Sequence, residues 1–199
     1  MIYVCGFPRS GTSMFYLMLR ATVTNYQFFD QEMPADAATG NTITKRPLDM
    51  YRNYRGKRAI ILVRDPRSVL TSKHWSNPDE YFVSADKCLR HKGLLAMWDA
   101  VKREPGYRLH YEDVVADPDQ IQYELGQEFG FEYSGWFSDF HKADIPMKLE
   151  RPLNGIRPVD NGHDWREHMP RIEDQFKRFP QLFDVLLEMG YEKDRSWMG

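Results

Sequence analysis

The chain is poor in cysteine, with two in 199 residues. Cys5 falls in an apolar strand-like run and Cys88 in a helical pattern, and neither belongs to a metal-ligand spacing. A disulfide scaffold and a thiolate metal site are both excluded, and a reducing, intracellular setting is expected. The six histidines are also scattered without the regular spacing of a metal site, so no metal is expected. Charge of one sign is lacking too, since 27 Lys and Arg stand against 29 Asp and Glu. That balance argues against nucleic acid or an acidic membrane surface as partner, and makes any anion site a local one. No apolar run approaches membrane-spanning length, and the first strand begins at once, without room for a signal peptide. A soluble, cytoplasmic protein of microbial or viral type is the expectation. Repeats and low-complexity tracts are absent, and residues 1–199 read as a single domain able to bury one core.

A further absence lies inside a motif. An apolar run from Ile2 to Cys5 reads as a buried strand, Gly6 to Gly11 as a turn, and Met14, Phe15, Met18 and Leu19 as the apolar face of a helix. This is the strand, loop and helix context of a phosphate-binding loop, in which backbone N–H groups and the helix dipole hold an anion. The Gly6 to Gly11 spacing matches the nucleoside triphosphate version, but Thr12 stands where that version has lysine. The nearest positive charge is Arg9, which can clamp a terminal oxyanion in two-pronged fashion without reaching a lysine's place over the outer phosphates. A plain NTPase is disfavoured. The loop is then either a site for a different phosphate ester or an ordinary turn.

Strand-like segments recur at Tyr26 to Phe29, Thr42 to Thr44, Arg58 to Val63 and Tyr107 to Tyr111, with helical stretches between and after them. The alternation predicts an α/β fold of three layers around a small central parallel sheet. Arg58 to Val63, apolar on both faces, reads as its central strand. One long helix is expected from Ala85 to Glu104, and a helical stretch from Ile172 to Met189 broken at Pro180. Residues 145–169, rich in Pro, Gly and Asn, read as a loop or lid segment.

A second chemical signal follows the central strand. Ligands of open parallel sheets bind at the carboxyl ends of strands, and Arg64 stands there. If a helix starts near Pro66, Ser68 and Ser72 lie one turn apart on one face, and Arg64 with a helix hydroxyl can grip a second phosphate. The alternative is a strand end at which Asp65 caps the helix and Arg64 and Arg67 are exposed.

With these motifs together the chain resembles the sulfotransferases that use 3′-phosphoadenosine 5′-phosphosulfate (PAPS). Pro8-Arg9-Ser10-Gly11-Thr12-Ser13 is similar to that family's loop for the 5′-phosphosulfate. Arg64 and Ser72 keep the family's spacing between the arginine and serine that bind the 3′-phosphate. His110-Tyr111-Glu112-Asp113-Val114-Val115-Ala116-Asp117-Pro118 resembles a further family segment, with His110 in place of its usual arginine. Arg157-Pro158 and Trp165-Arg166 are similar to the segment that closes over the nucleotide. The Golgi-type branch, which includes the tyrosylprotein enzymes, is nearer than the cytosolic steroid and phenol branch.

The resemblance implies a P-loop sulfotransferase fold, PAPS as donor and adenosine 3′,5′-bisphosphate (PAP) as product, with Arg9 also serving the reaction. It implies a general base in Asp30-Gln31-Glu32-Met33-Pro34, Glu32 first and Asp30 in reserve. Lys45, in Lys45-Arg46-Pro47, matches the lysine that stabilises the transferring sulfonate. His74 is the other base considered and reads better as an acceptor-lining or structural residue. Trp165 either stacks on adenine or packs under the long loop, and Arg157 is either a second clamp on the 3′-phosphate or a solvent cation. Trp75, Tyr81, Phe82, Trp136 and Phe137 are candidates for an acceptor pocket. The acceptor is a hydroxyl of a carbohydrate, lipid, phenol or peptide tyrosine. Two other classes stay open: an ATP-dependent kinase with a degenerate loop, and a non-catalytic nucleotide-binding module.

Overall fold

In the computed structural model the described residues are 1–29, 40–46, 58–74, 77–88, 91–103, 105–144 and 163–198, without the side chains of residues 74 and 198. Alternation of side chains across a strand explains the architecture. Along β1 (Ile2–Gly6) and β4 (Arg58–Val63), Tyr3, Cys5, Ala59, Ile61 and Val63 enter one apolar core, while Ile2, Val4, Ile60 and Leu62 enter another. A strand buried on both faces needs layers on both sides.

Five strands form the central sheet, in the order β2 (Gln27–Phe28), β3 (Thr42–Lys45), β1, β4 and β9 (Tyr107–His110). Every pairing is parallel, with Val4 beside Lys45, Gly6 beside Leu62 and Val63 beside His110. The fold is thus the α/β class expected, and its strands start close to where the apolar runs placed them. Parallel pairing has a functional consequence: the carboxyl ends of β3, β1, β4 and β9 share one edge. From β1 the chain crosses to β3 on one side and later to β4 on the other, which makes the gap above β1 and β4 the switch point where such sheets bind ligands.

Helices α1 (Thr12–Thr22), α4 (Tyr111–Ala116) and α5 (Pro118–Phe129) cover one face. The other is covered by α2 (Pro66–Thr71), α3 (Leu94–Arg103) and the C-terminal helices Met169–Arg178 and Gln181–Glu188, which break at Phe179 and Pro180 as expected. Asp117 caps α5, accepting from the Gln120 N–H at 3.0 Å. Two short antiparallel hairpins intervene, β5–β6 (Lys73–His74 with Asn77–Tyr81) and β7–β8 (Lys87–Cys88 with His91–Lys92).

The second hairpin corrects the long helix expected from Ala85. Helix begins only at Leu94, because the chain folds back on itself at Gly93, where an added Cβ would lie 2.2 Å from the Lys87 nitrogen. The backbone N–H groups of Leu94 and Leu95 then bond to the carbonyls of Ser84 and Ala85, at 3.0 and 3.1 Å. Leu94, Met97, Trp98 and Val101 are nonetheless buried, as their helical spacing requires. Both cysteines are buried, and burial pushes the Cys88 thiol up to about 11.

Candidate active site

The loop after β1 is built around two close approaches. Gly6 packs against β4, where a Cβ would meet the Leu62 carbonyl oxygen at 2.3 Å. Gly11 has φ 85°, and its Cβ would meet the Tyr111 ring at 2.5 Å. Ser10 is fully buried and donates its hydroxyl to the Phe7 carbonyl at 2.6 Å, which makes it a staple of the loop. Arg9 has φ 72° and is the single non-glycine with positive φ among the described residues. A strained arginine in a loop is a feature that surrounding structure must hold in place. Gly11 precedes α1 without any side-chain cap, so the first N–H groups of the helix face the loop's concavity.

Arg64 follows β4 on the same edge. It is 8% exposed, donates Nη1–H to the Arg9 carbonyl at 3.2 Å, and lays its guanidinium carbon 4.2 Å from the centre of the Tyr111 ring. The Nε–H groups of Arg9 and Arg64 are both buried, without a hydrogen-bond partner among the described residues. Neither guanidinium is among the ion pairs of the described residues. Burial first, and then the charge of Arg64, holds the Arg9 guanidinium below its ordinary value. Two neighbouring cations, Arg64 buried and Arg9 half-buried, with open donors form an arrangement that an anion would complete.

Arg67, three residues on, behaves differently. Its Nη2 meets Asp65 Oδ2 at 2.8 Å, its Nη1 bonds to Glu192, and its guanidinium lies 4.3 Å from the Trp165 ring centre. Asp65 caps α2 as foreseen, accepting from the Arg67 N–H at 2.8 Å, but neither arginine is exposed. One is neutralised and the other is held open.

The segment His110–Glu112 positions this edge. Glu112 accepts from the Asp65 N–H at 3.0 Å and from the Tyr191 hydroxyl at 2.7 Å, and the same hydroxyl lies 3.0 Å from His110 Nδ1. Tyr111 stands between Gly11 and Arg64 and so links the two halves of the site. Its role gave no sign in the sequence beyond membership of that segment.

Lys45 reaches the loop from the end of β3. It is buried, at 9% exposure, and its Nζ donates to Ser13 Oγ at 3.1 Å. Ser72 closes α2 and donates its hydroxyl to the Ser68 carbonyl at 2.7 Å. Pro8 and Thr12 are buried in the loop and first helical turn. Pro8 to Ser13, Lys45 and Arg64 are therefore gathered on one edge, with Ser72 ending the helix that Arg64 precedes.

Trp165 is placed elsewhere. It is 9% exposed, with the guanidiniums of Arg67 and Arg166 4.3 and 4.5 Å from its ring centre and Trp197 edge-on at 5.7 Å. Of the two readings left open by the sequence, packing is the one these contacts describe. Glu32, Asp30, Arg157, Trp75 and residues 145–162 of the expected lid lie outside the described residues, as does the side chain of His74. The last part of that lid, Trp165–His168, is a turn of 3-10 helix. Of the acceptor-pocket candidates, Phe137 is core and Trp136 lines a separate groove along α5 with Gln122, Tyr123 and Tyr133. No group of side chains suited to a metal occurs among the described residues. None of their helices is long and apolar enough to cross a membrane.

Solved structures share this fold. The mouse sulfotransferase SULT7A1, solved in complex with PAP, superposes with a TM-score of 0.58 over 92% of this chain and 82% of its own, at 12% identity. The chain has the sulfotransferase fold. The sulfotransferase domain from the curacin biosynthetic pathway also matches, with a TM-score of 0.38 and 14% identity over 82% of this chain and 81% of that one. No family model and no curated protein sequence matches. The likeness is therefore one of fold, and the sulfotransferase fold leaves donor and acceptor to be argued from the residues.

Proposed function

We propose that the protein is a PAPS-dependent sulfotransferase that transfers the sulfonate group to a hydroxyl of an acceptor. The observation that carries this reading is the pair Arg9 and Arg64, neighbouring cations whose buried Nε–H groups have no hydrogen-bond partner among the described residues. A nucleotide with anions at both its 5′ and 3′ positions supplies two separate negative groups to such a pair, and ATP offers only one polyphosphate. The lysine-less loop and its uncapped helix suit the 5′-phosphosulfate, and Arg64 with Ser72 suits the 3′-phosphate.

The acceptor oxygen attacks sulfur in line, the bond from sulfur to the bridging oxygen breaks, and PAP leaves with that oxygen negative. Arg9 and Lys45 supply positive charge where the negative charge grows, at the end of the helix that opens with Thr12. The acceptor's proton goes to a base, for which Glu32 is the proposed residue. Arg157 is a proposed second contact to the 3′-phosphate. Trp165 supports the site from the core.

Calorimetric titration tests the donor. The expected result is tight binding of PAP without Mg²⁺ and weak binding of ATP; preference for MgATP overturns the assignment in favour of a kinase. Incubation with radiolabelled PAPS and a panel of hydroxylated acceptors tests transfer. Glu32→Ala and Lys45→Ala are expected to bind PAP yet lose transfer, and full turnover in both variants overturns the residue roles.

A further inference from the structure

The turn after the C-terminal helix Gln181–Glu188 reaches the sheet edge that carries Arg64. Gly190, at φ 79°, closes that helix: its N–H bonds to the Leu187 carbonyl at 3.1 Å, and the Tyr191 N–H bonds to the Leu186 carbonyl at 3.0 Å. Paired closure on a left-handed glycine turns the chain sharply and fixes where the next two side chains go. Leu182, Val185 and Leu186 lie in the same core cluster as Val63, Val69 and Leu70, so the turn is anchored beside β4 and α2.

Tyr191 and Glu192 then hold one residue, Asp65, from two sides. The Tyr191 hydroxyl donates to Glu112 Oε2 at 2.7 Å, and Glu112 Oε1 accepts from the Asp65 N–H at 3.0 Å. That N–H belongs to the peptide joining Arg64 to Asp65, so the carboxylate grips the backbone directly after Arg64. Glu192 pairs with Arg67 Nη1, while Nη2 of the same guanidinium meets Asp65 Oδ2 at 2.8 Å. Burial first, and then the charge of Glu112, pushes the Tyr191 phenol well above its ordinary value, which keeps the hydroxyl a donor. Tyr111, under the Arg64 guanidinium, and Glu112, on the following peptide, are consecutive residues at the start of α4. A shift of that turn therefore displaces both supports of Arg64 together.

We propose that Tyr191 is a positioning residue for Arg64: through Glu112 it sets the place of that guanidinium, and with it the preference of the site for a nucleotide bearing a 3′-phosphate. The inference rests on the reading of Arg64 as a ligand of the 3′-phosphate. A guanidinium recognises a phosphate through directed N–H bonds, so a displaced one loses affinity for the group it faces while the loop after β1 keeps its own. A general loosening of the fold would instead weaken every nucleotide alike.

The test is calorimetric titration of wild type, Tyr191→Phe, Arg64→Ala and the double variant with PAP and with adenosine 5′-monophosphate, which lacks only the 3′-phosphate. The ratio of the two affinities isolates the contribution of that phosphate. Phenylalanine keeps the ring and removes the one hydroxyl that reaches Glu112. Tyr191→Phe is expected to lower the ratio about fivefold, by weakening PAP while leaving the monophosphate unchanged. Arg64→Ala is expected to remove most of the ratio, and the double variant to fall no further, since the tyrosine acts only through the arginine. Should Tyr191→Phe not fold, Glu112→Gln is read in its place: glutamine offers one acceptor oxygen where two are used, and the same fall is expected. A wild-type ratio in the variant read, equal losses for both nucleotides, or a further fall in the double variant overturns the proposal while a lowered ratio in Arg64→Ala leaves the 3′-phosphate reading standing. A wild-type ratio in Arg64→Ala overturns that reading and the proposal with it.

Discussion

Arg64 lies over the ring of Tyr111, its guanidinium carbon 4.2 Å from the ring centre, and the same ring fills the space beside Gly11. A single aromatic residue thus sets the distance between the loop after β1 and the arginine after β4. Cation–aromatic contacts of buried groups contribute about 1–2 kcal/mol. Tyr111→Ala is expected to weaken PAP binding about tenfold, by releasing Arg64 from its place. Tyr111→Phe keeps the ring and is expected to stay within about twofold of wild type. Calorimetry on the folded variants checks both, and equal affinities in Tyr111→Ala and wild type would show that Arg64 holds its place unaided.

Gly11 gives the same relationship from the other side. At φ 85° any side chain is strained, and an alanine Cβ would sit 2.5 Å from the Tyr111 ring. Gly11→Ala is expected to lower PAP affinity more than thermal stability, since the loop can shift outward while β1 and α1 stay packed. A melting temperature that collapses with binding intact would reverse that order.

The fold was legible because its signals are local. Gly6 and Gly11 punctuate a change from strand to helix within the first twenty residues, and the apolar run at Arg58 to Val63 announces a strand buried on both faces. The site was legible only as far as strand ends allow. Arg64 and Arg67 look alike in sequence, and what separates them is that Arg67 pairs with both Asp65 and Glu192, the latter 125 residues away, while Arg64 is in no ion pair of the described residues. Tyr111 was missed for the same reason, as it gains its role from partners far along the chain. The helix expected from Ala85 failed for a local cause: its apolar spacing continues through Gly93, but the backbone there turns where only a residue without Cβ fits.

Lys45 and Ser13 meet at 3.1 Å across the gap between β3 and α1. A charge that acts on the transferring group contributes more to the transition state than to the bound ground state. Removal of one such group typically lowers kcat about 100- to 1,000-fold. Lys45→Met is expected to show a loss of that size in sulfonate transfer with PAP affinity reduced only about threefold, measured by single-turnover kinetics beside calorimetry. A parallel loss in both quantities would make Lys45 a binding residue instead.

Trp165 offers a test of packing against stacking. Its ring meets Arg67, Arg166 and Trp197 and is buried. Trp165→Ala is expected to destabilise the protein by about 3–5 kcal/mol, the usual result of deleting a large core aromatic. Trp165→Phe, which keeps a ring of smaller area, is expected to leave PAP affinity within about twofold of wild type. A loss of adenine affinity with unchanged stability in Trp165→Phe would restore the nucleotide-stacking role.

The depressed titration of His163 has a consequence for stability. Its folded-state value lies below the ordinary histidine value, for which burial is the first cause and the charge of Arg64 the next. The unfolded chain therefore binds more protons than the native protein as pH falls through about 6.5, and stability must fall with it. The carboxylates held low, Asp86, Asp164, Glu188 and Asp194, contribute stability that is lost only in the carboxylate range, well below that window. Thermal melts of the free wild-type protein are expected to shift downward between pH 7.5 and 5.5, with a smaller shift in His163→Gln. If the free proteins shift by the same amount, His163 is not held neutral by its neighbours.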